Sequence, residues 1–396
     1  MMQISPEIQL FIREHSSDDV RVLALQAKKY PDIDMPTAIT QIAGRKVAAE
    51  KIPSWWEIEK IWYPKHLSLE QCSSEITARY KARLLQGDSL TDLTGGFGID
   101  CSFLATGFKS ATYVERQEEL CEIAAHNFPV LNLNHINIKN EDGVTYLQAM
   151  SPVDCLFLDP ARRNEHGGKT VAISDCEPNV AELEELLLQK ANRVMIKLSP
   201  MLDLSLALKE LKQTQEVHIL SVNNECKELL ILLGQTSPAE ISIHCVNLFT
   251  KGTQKEQHFV FTREQEQCSE CTYTDSLETY LYEPNASLLK AGAFRSIAAA
   301  YPVRKLHPNS HLYTSDTFIE NFSGRIFRIV NQCSFNKKEV KENLADLKKA
   351  NVTVRNFPAT VAELRKRIHL AEGGDTYLFA STLNNGQKVL IRCEKV

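Results

Sequence analysis

The stretch Ser89-Leu90-Thr91-Asp92-Leu93-Thr94-Gly95-Gly96-Phe97-Gly98-Ile99-Asp100 decides how the chain is read. A short apolar strand runs to Asp92, a glycine-rich turn follows, and a helix opens near Ile99. Glycine has no side chain to hold a ligand away from the backbone. The free N–H groups at a helix start carry positive partial charge. Open α/β sheets bind nucleotide-like ligands at this place, the carboxyl end of a strand. A dinucleotide fingerprint needs Gly-x-Gly-x-x-Gly. Gly96 and Gly98 supply its first pair, but Cys101 stands where the third glycine belongs.

Working outward, strands and helices alternate as a parallel sheet requires. Further strands are read at 111–114, 136–139, 155–158, 194–198, 217–220 and 228–233. Asn223-Asn224 leaves room only for a tight turn, so the last two strands must pair antiparallel. Seven strands closed by an antiparallel hairpin set this sheet apart from the six-stranded dinucleotide fold. The run Asp92-x-x-x-Gly96-x-Gly98 then resembles motif I of the class I S-adenosylmethionine (SAM) methyltransferases, with Thr94 in place of that family's usual first glycine.

The strand ends carry the candidate chemistry. Glu115 ends the second strand, 23 residues after Asp92. A carboxylate there can accept from both hydroxyls of a ribose, or it is simply a surface glutamate. Asp142 ends the third strand and either accepts from an adenine amino group or caps the helix that follows. Asp159-Pro160-Ala161-Arg162-Arg163 ends the fourth. Asp159 either caps the next turn or orients an acceptor amine. Lys197 ends the fifth and either lines the substrate side or snorkels to solvent. Ser68 with Gln71 three residues on starts a helix read as running on past Arg79, with Gln71 and Ser74 as pocket candidates. Cys268-Ser269-Glu270-Cys271 is a metal-like pair with His258 as an available third ligand. A structural zinc needs four ligands, so no metal is expected.

The chain has 396 residues, 43% of them hydrophobic, enough for two or three globular domains. No apolar run reaches the ~18 residues of a membrane span, and no signal-like start is present, so a cytoplasmic protein is expected. Five of the 11 cysteines (Cys101, Cys121, Cys155, Cys226 and Cys245) sit in apolar runs and read as core residues. The net charge of −5 is unevenly spread: residues 323–396 hold 14 Lys and Arg against 7 Asp and Glu. A basic tail behind an acidic front suggests a polyanionic partner, or else a solvated helix face. At the front, a helix through Tyr30 is read with Val22, Leu25 and Lys29 on one stripe, and a second between Pro36 and Pro53. Trp55, Trp56, Ile58, Ile61 and Trp62 read as domain packing or as a base-stacking platform.

Motif I, Glu115, Asp159-Pro160-Ala161-Arg162, the segment Glu70-Gln71-Cys72-Ser73-Ser74-Glu75-Ile76-Thr77-Ala78-Arg79-Tyr80 and the basic tail together resemble bacterial class I SAM-dependent methyltransferases with a C-terminal THUMP-like domain. The resemblance implies an α/β fold: a seven-stranded Rossmann-like sheet with an N-terminal helical region and a C-terminal α+β THUMP-like module. The corresponding divisions are 1–67 (helical), 68–235 (methyltransferase), 236–275 (β-hairpin connector), 276–322 (small ferredoxin-like α/β segment) and 323–396 (THUMP-like). It implies SAM as cofactor, with Asp92, Thr94, Gly96 and Gly98 around the methionyl end, Glu115 on the ribose and Asp142 on the adenine amine. Asp159, Pro160 and Arg162 would form the acceptor side. Amino-directed members place Asp/Asn-Pro-Pro-aromatic there; Ala161 and Arg162 depart from that, and an arginine can stack on a base or grip a phosphate. THUMP domains bind RNA, so a base in structured RNA (tRNA or rRNA) is the implied substrate and partner. The alternatives are a small-molecule or protein acceptor, or a non-catalytic SAM- and RNA-binding protein.

Overall fold

The computed structural model describes residues 4–162, 172–236 and 238–396, without the side chains of His66 and Arg162. The chain forms two compact units, residues 1–215 with 229–238, and residues 216–228 with 239–396.

The first unit opens with capped helices. Ser5 caps Pro6–Glu14, Asp19 caps Val20–Leu25 and Asp34 caps Met35–Lys51, each side chain accepting from a backbone N–H of the first turn. The stripe read from Val22 and Leu25 is not the buried one. The Val20–Leu25 helix has one buried position, Leu23, while Leu25 is 88% exposed. Six residues are too few for apolar spacing to define a face. The tryptophan cluster is packing: Trp55 is buried edge-on against Phe97, and Trp62 stacks on His126. The helix expected to run on from Ser68 is two helices, His66–Gln71 and Glu75–Ala82, broken at an extended Cys72.

The sheet strands are β1 (Ser89–Asp92), β2 (Ser110–Glu115), β3 (Ile136–Asn140), β4 (Val153–Leu158), β5 (Ala191–Leu198), β6 (Thr214–Val222) and β7 (Glu225–Gly234). In the first unit their order is β7-β5-β4-β1-β2-β3, parallel except for β7. Asn223 and Asn224, both at positive φ, form the tight turn between β6 and β7. Leu229 to Leu233 and Val194 to Ile196 are fully buried, the unbroken apolar pattern of central strands covered on both faces. Strand order reverses between β1 and β4, which puts a ligand crevice at their carboxyl ends.

In the second unit β8 (Ser242–Leu248) pairs parallel with β6 and antiparallel with β9 (Glu256–Thr262). A separate sheet holds β10 (Tyr280–Pro284), β11 (Tyr313–Ser315), β12 (Gly324–Ser334), β13 (Asn351–Val354), β14 (Thr376–Thr382) and β15 (Lys388–Lys395). Leu281, Phe327, Phe379 and Ile391 form one of its cores. Leu344 and Leu364 seat the helices Lys337–Leu344 and Val361–Ile368 on a second, with Leu378 and Leu390. Among the described residues no helix is long and apolar enough to cross a membrane.

Candidate active site

The carboxyl end of β1 meets the ends of β2 and β4 through one loop. Asp92 Oδ1 accepts the Thr94 N–H at 3.0 Å, closing the first turn. The Gly95 N–H donates to the Val114 carbonyl at 2.8 Å, and Gly96 takes a φ of +55°, where glycine is favoured. A Cβ on Gly95 would lie 2.2 Å from the Tyr113 ring, whereas one on Gly96 would meet nothing closer than 3.8 Å. The Tyr113 hydroxyl donates to the Gly96 carbonyl. The loop is therefore rigid on its Tyr113 side and open beside Gly96.

Glu115 is buried against this loop. Its Oε2 accepts the Gly96 N–H at 2.9 Å and its Oε1 accepts the Gln117 N–H at 2.8 Å. Each carboxylate oxygen has a second acceptor position. Asp142 is the N-cap of the helix Gly143–Ala149. Its Oδ1 accepts from the Val144 and Thr145 N–H groups, so its capping role is realised. Asp92 Oδ2 is buried with no hydrogen-bond partner among the described residues. That burial raises the Asp92 pKa well above the ordinary carboxylate value.

A second set of side chains lies on the β4 side. Thr94 accepts the Asp159 backbone N–H on its hydroxyl at 2.6 Å, tying motif I to the end of β4. Lys197 forms an ion pair with Asp159 Oδ2 and lies 3.5 Å from Asp100 Oδ2. Lys81, with a fully buried side chain, sits 2.9 Å from Asp100 Oδ1 and donates to the Ser73 hydroxyl at 2.8 Å. Ser73 in turn donates to Asp100 Oδ2 at 2.6 Å. Burial alone would raise the Asp100 pKa, but Lys81 and Lys197 outweigh it and hold it below the usual value. At Asp159 burial prevails, and its pKa is raised although Lys197 opposes the shift.

The reading of Lys197 as a snorkelling residue is overturned. Its side chain is 10% exposed and bridges two carboxylates. Asp159 keeps 36% of its side chain exposed, and Pro160 beside it is buried. The Arg162 side chain lies outside the described residues, as does Arg163. Gln71 is exposed and Ser74 turns to Thr77 at the start of its helix. The break between the two helices instead brings the neighbouring Ser73 inward. Ser73, Lys81 and Asp100 were not legible as site residues. Asp100 left one trace, an acid between the apolar Ile99 and Cys101.

A ferredoxin-like domain model matches residues 280–322, and a THUMP-domain-like model matches 324–395. No curated protein sequence matches the chain. Among solved structures, a Porphyromonas gingivalis W83 protein assigned as a methyltransferase is 34% identical over 98% of each chain, with a TM-score of 0.88. A modification subunit assigned to a type I restriction enzyme of Vibrio vulnificus YJ016 is 12% identical over 51% of this chain and 56% of that one, with a TM-score of 0.35. At that level the second likeness carries no functional weight. The first extends across both units, and with the strand order and the glycine loop it places this chain in the bacterial class I methyltransferase family with a C-terminal THUMP-like domain.

Proposed function

We propose that the chain transfers a methyl group from SAM to a base in structured RNA. The observation that carries this reading is the convergence of Glu115 and Asp159 on the two sides of one open glycine loop. The residues present suit SAM. Gly96 leaves space for a close backbone approach, Glu115 retains acceptor positions for ribose hydroxyls, and the buried Asp92 Oδ2 is an unused acceptor next to the loop. SAM, when bound, supplies an electrophilic methyl group. Asp92, Thr94, Gly96, Gly98, Glu115 and Asp142 would hold it.

Methyl transfer is an in-line displacement, so placement of the acceptor matters more than acid–base strength. Asp159 is suited to accept a hydrogen bond from an acceptor amine and to turn its lone pair toward the methyl group. Lys197 fixes one of its oxygens and favours the charged form. Pro160 stiffens the backbone beyond it. RNA as the acceptor is supported by the tail. Arg325, Arg328, Arg355 and Arg392 are paired with acids, but Lys337, Lys338, Lys341, Lys348, Lys349 and Lys366 stand exposed on one THUMP-like module.

The test is methyl transfer from radiolabelled SAM to total RNA from cells lacking the gene. Label released by ribonuclease is the expected result. Label on protein or on small molecules alone, with SAM bound, would overturn the RNA assignment. In the same assay Asp159→Ala should lower turnover while calorimetric SAM affinity stays unchanged. An equal loss of both would remove Asp159 from the acceptor side.

A further inference from the structure

The second unit carries a histidine cluster that the methyltransferase reading does not use. Glu216 and His218 lie on β6, Ser242 and His244 on β8, and His258 on β9. The register places Ser242 opposite Glu216 and His244 opposite His218, while His258 stands opposite Val246. Side chains alternate along a strand, so all five share one face. The His218 and His244 rings stack at 4.3 Å with 16° between their planes. His218 Nε2 lies 3.2 Å from Glu216 Oε2, and His244 Nε2 lies 3.1 Å from the Ser242 hydroxyl. Both Nε2 atoms therefore point toward the Glu216–Ser242 end of the row. One ligand atom from each of Glu216, His218 and His244 lies within 4.8 Å of the others.

The geometry points to a divalent transition-metal site, zinc-like in chemistry, with Glu216, His218 and His244 as its three protein ligands. Two imidazoles and one carboxylate are a zinc donor set that leaves a coordination position open. Ligand bonds of about 2.0–2.2 Å require the three donors, now within 4.8 Å of one another, to draw closer together around the ion. His258 completes the arrangement. Its Nε2 lies 3.1 Å from His244 Nδ1, the hydrogen bond on the far ring nitrogen that commonly orients a metal-bound histidine. The sequence left His258 available to the Cys268 and Cys271 pair, but the structure sets it against His244 instead. A bound ion would cross-link β6 and β8, with β9 held through His258.

The experiment uses the full chain, freed of metal with a chelator and titrated separately with zinc(II) and cobalt(II). One ion per chain should bind. Cobalt should give d–d absorption without a thiolate charge-transfer band, because the donor set contains no sulfur. Glu216→Gln keeps the shape of the site and should lower affinity by at least about tenfold, the loss of one ligand to a charged centre. His258→Ala, at an exposed position, should lower it by on the order of tenfold without removing a ligand. A thiolate band, which would place the ion on cysteine, overturns the site. So does unchanged affinity in Glu216→Gln, or no binding at micromolar metal. None of these readouts depends on methyl transfer.

Discussion

The two sides of the candidate active site are held by different means. On the Glu115 side the carboxylates rest on backbone: Glu115 on Gly96 and Gln117, Asp142 on Val144 and Thr145, Asp92 on Thr94. On the Asp159 side they rest on ammonium groups: Asp100 between Lys81 and Lys197, and Asp159 on Lys197. A backbone donor is present whatever the side chain, so the first set depends on the course of the backbone and not on the chemistry of the residues that supply its donors. The second set hangs on single side chains, and removing one leaves a buried charge without its counterpart. On the proposed function, cofactor geometry would thus be guarded by the fold, and acceptor geometry by a few residues.

The largest effect should come from breaking the lysine side. Lys81→Met removes the nearer of the two ammonium groups from Asp100, leaving Lys197 at 3.5 Å and Ser73, and should destabilise the fold by up to about 3–5 kcal/mol, read by urea unfolding. The lysines hold Asp100 below its ordinary pKa, so the ion pair's contribution is present at neutral pH and is lost only as pH falls through that lowered value. The gap between wild type and variant should persist at neutral pH and narrow only in strong acid. A wild-type protein no more stable than the variant at neutral pH would mean that the network contributes nothing.

Breaking the backbone side should cost binding instead of folding. Glu115→Ala removes hydrogen bonds to a charged acceptor, worth roughly 1.5–3 kcal/mol, or about 10- to 100-fold in SAM affinity by calorimetry. Unchanged affinity would end its assignment to the ribose. Lys197→Met sharpens the contrast through pH. Lys197 lowers the Asp159 pKa against a burial that raises it. Without the lysine the acid limb of the turnover–pH profile should move to higher pH, and an unmoved limb would show that Lys197 does not tune Asp159. The smallest effect is expected at Asp142, where Ala removes a helix cap worth about 1 kcal/mol and Asn, itself a good cap, restores it. If Asp142→Asn keeps stability but still weakens SAM binding, the residue has a second role beyond the cap.

This contrast also explains what could be read from the sequence. The Asp92-to-Gly98 loop, Glu115 and the Asn223-Asn224 hairpin were legible because each is a local pattern at a strand end. The lysine set was not, because its bonds span long stretches of chain: 27 residues from Ser73 to Asp100 and 38 from Asp159 to Lys197. Lys197 reads as a solvent-seeking residue until its partners are known. The break before Glu75 was hidden by a capping signature at Ser68 that suggested one continuous helix. The histidine row was invisible for a related reason, since its members sit on three strands and meet only in register.

Gly95 and Gly96 stand side by side and are glycine for opposite reasons, which gives them different genetics. Gly95 is constrained from outside, by the ring of Tyr113. A lesion there should be open to second-site suppression by a smaller residue at 113, and such a pair of changes can drift together. Gly96 is constrained from within, by its own backbone torsion, and has empty space around it. No neighbour can relieve a side chain at that position, so a screen for revertants of Gly96→Val should return mainly true reversion.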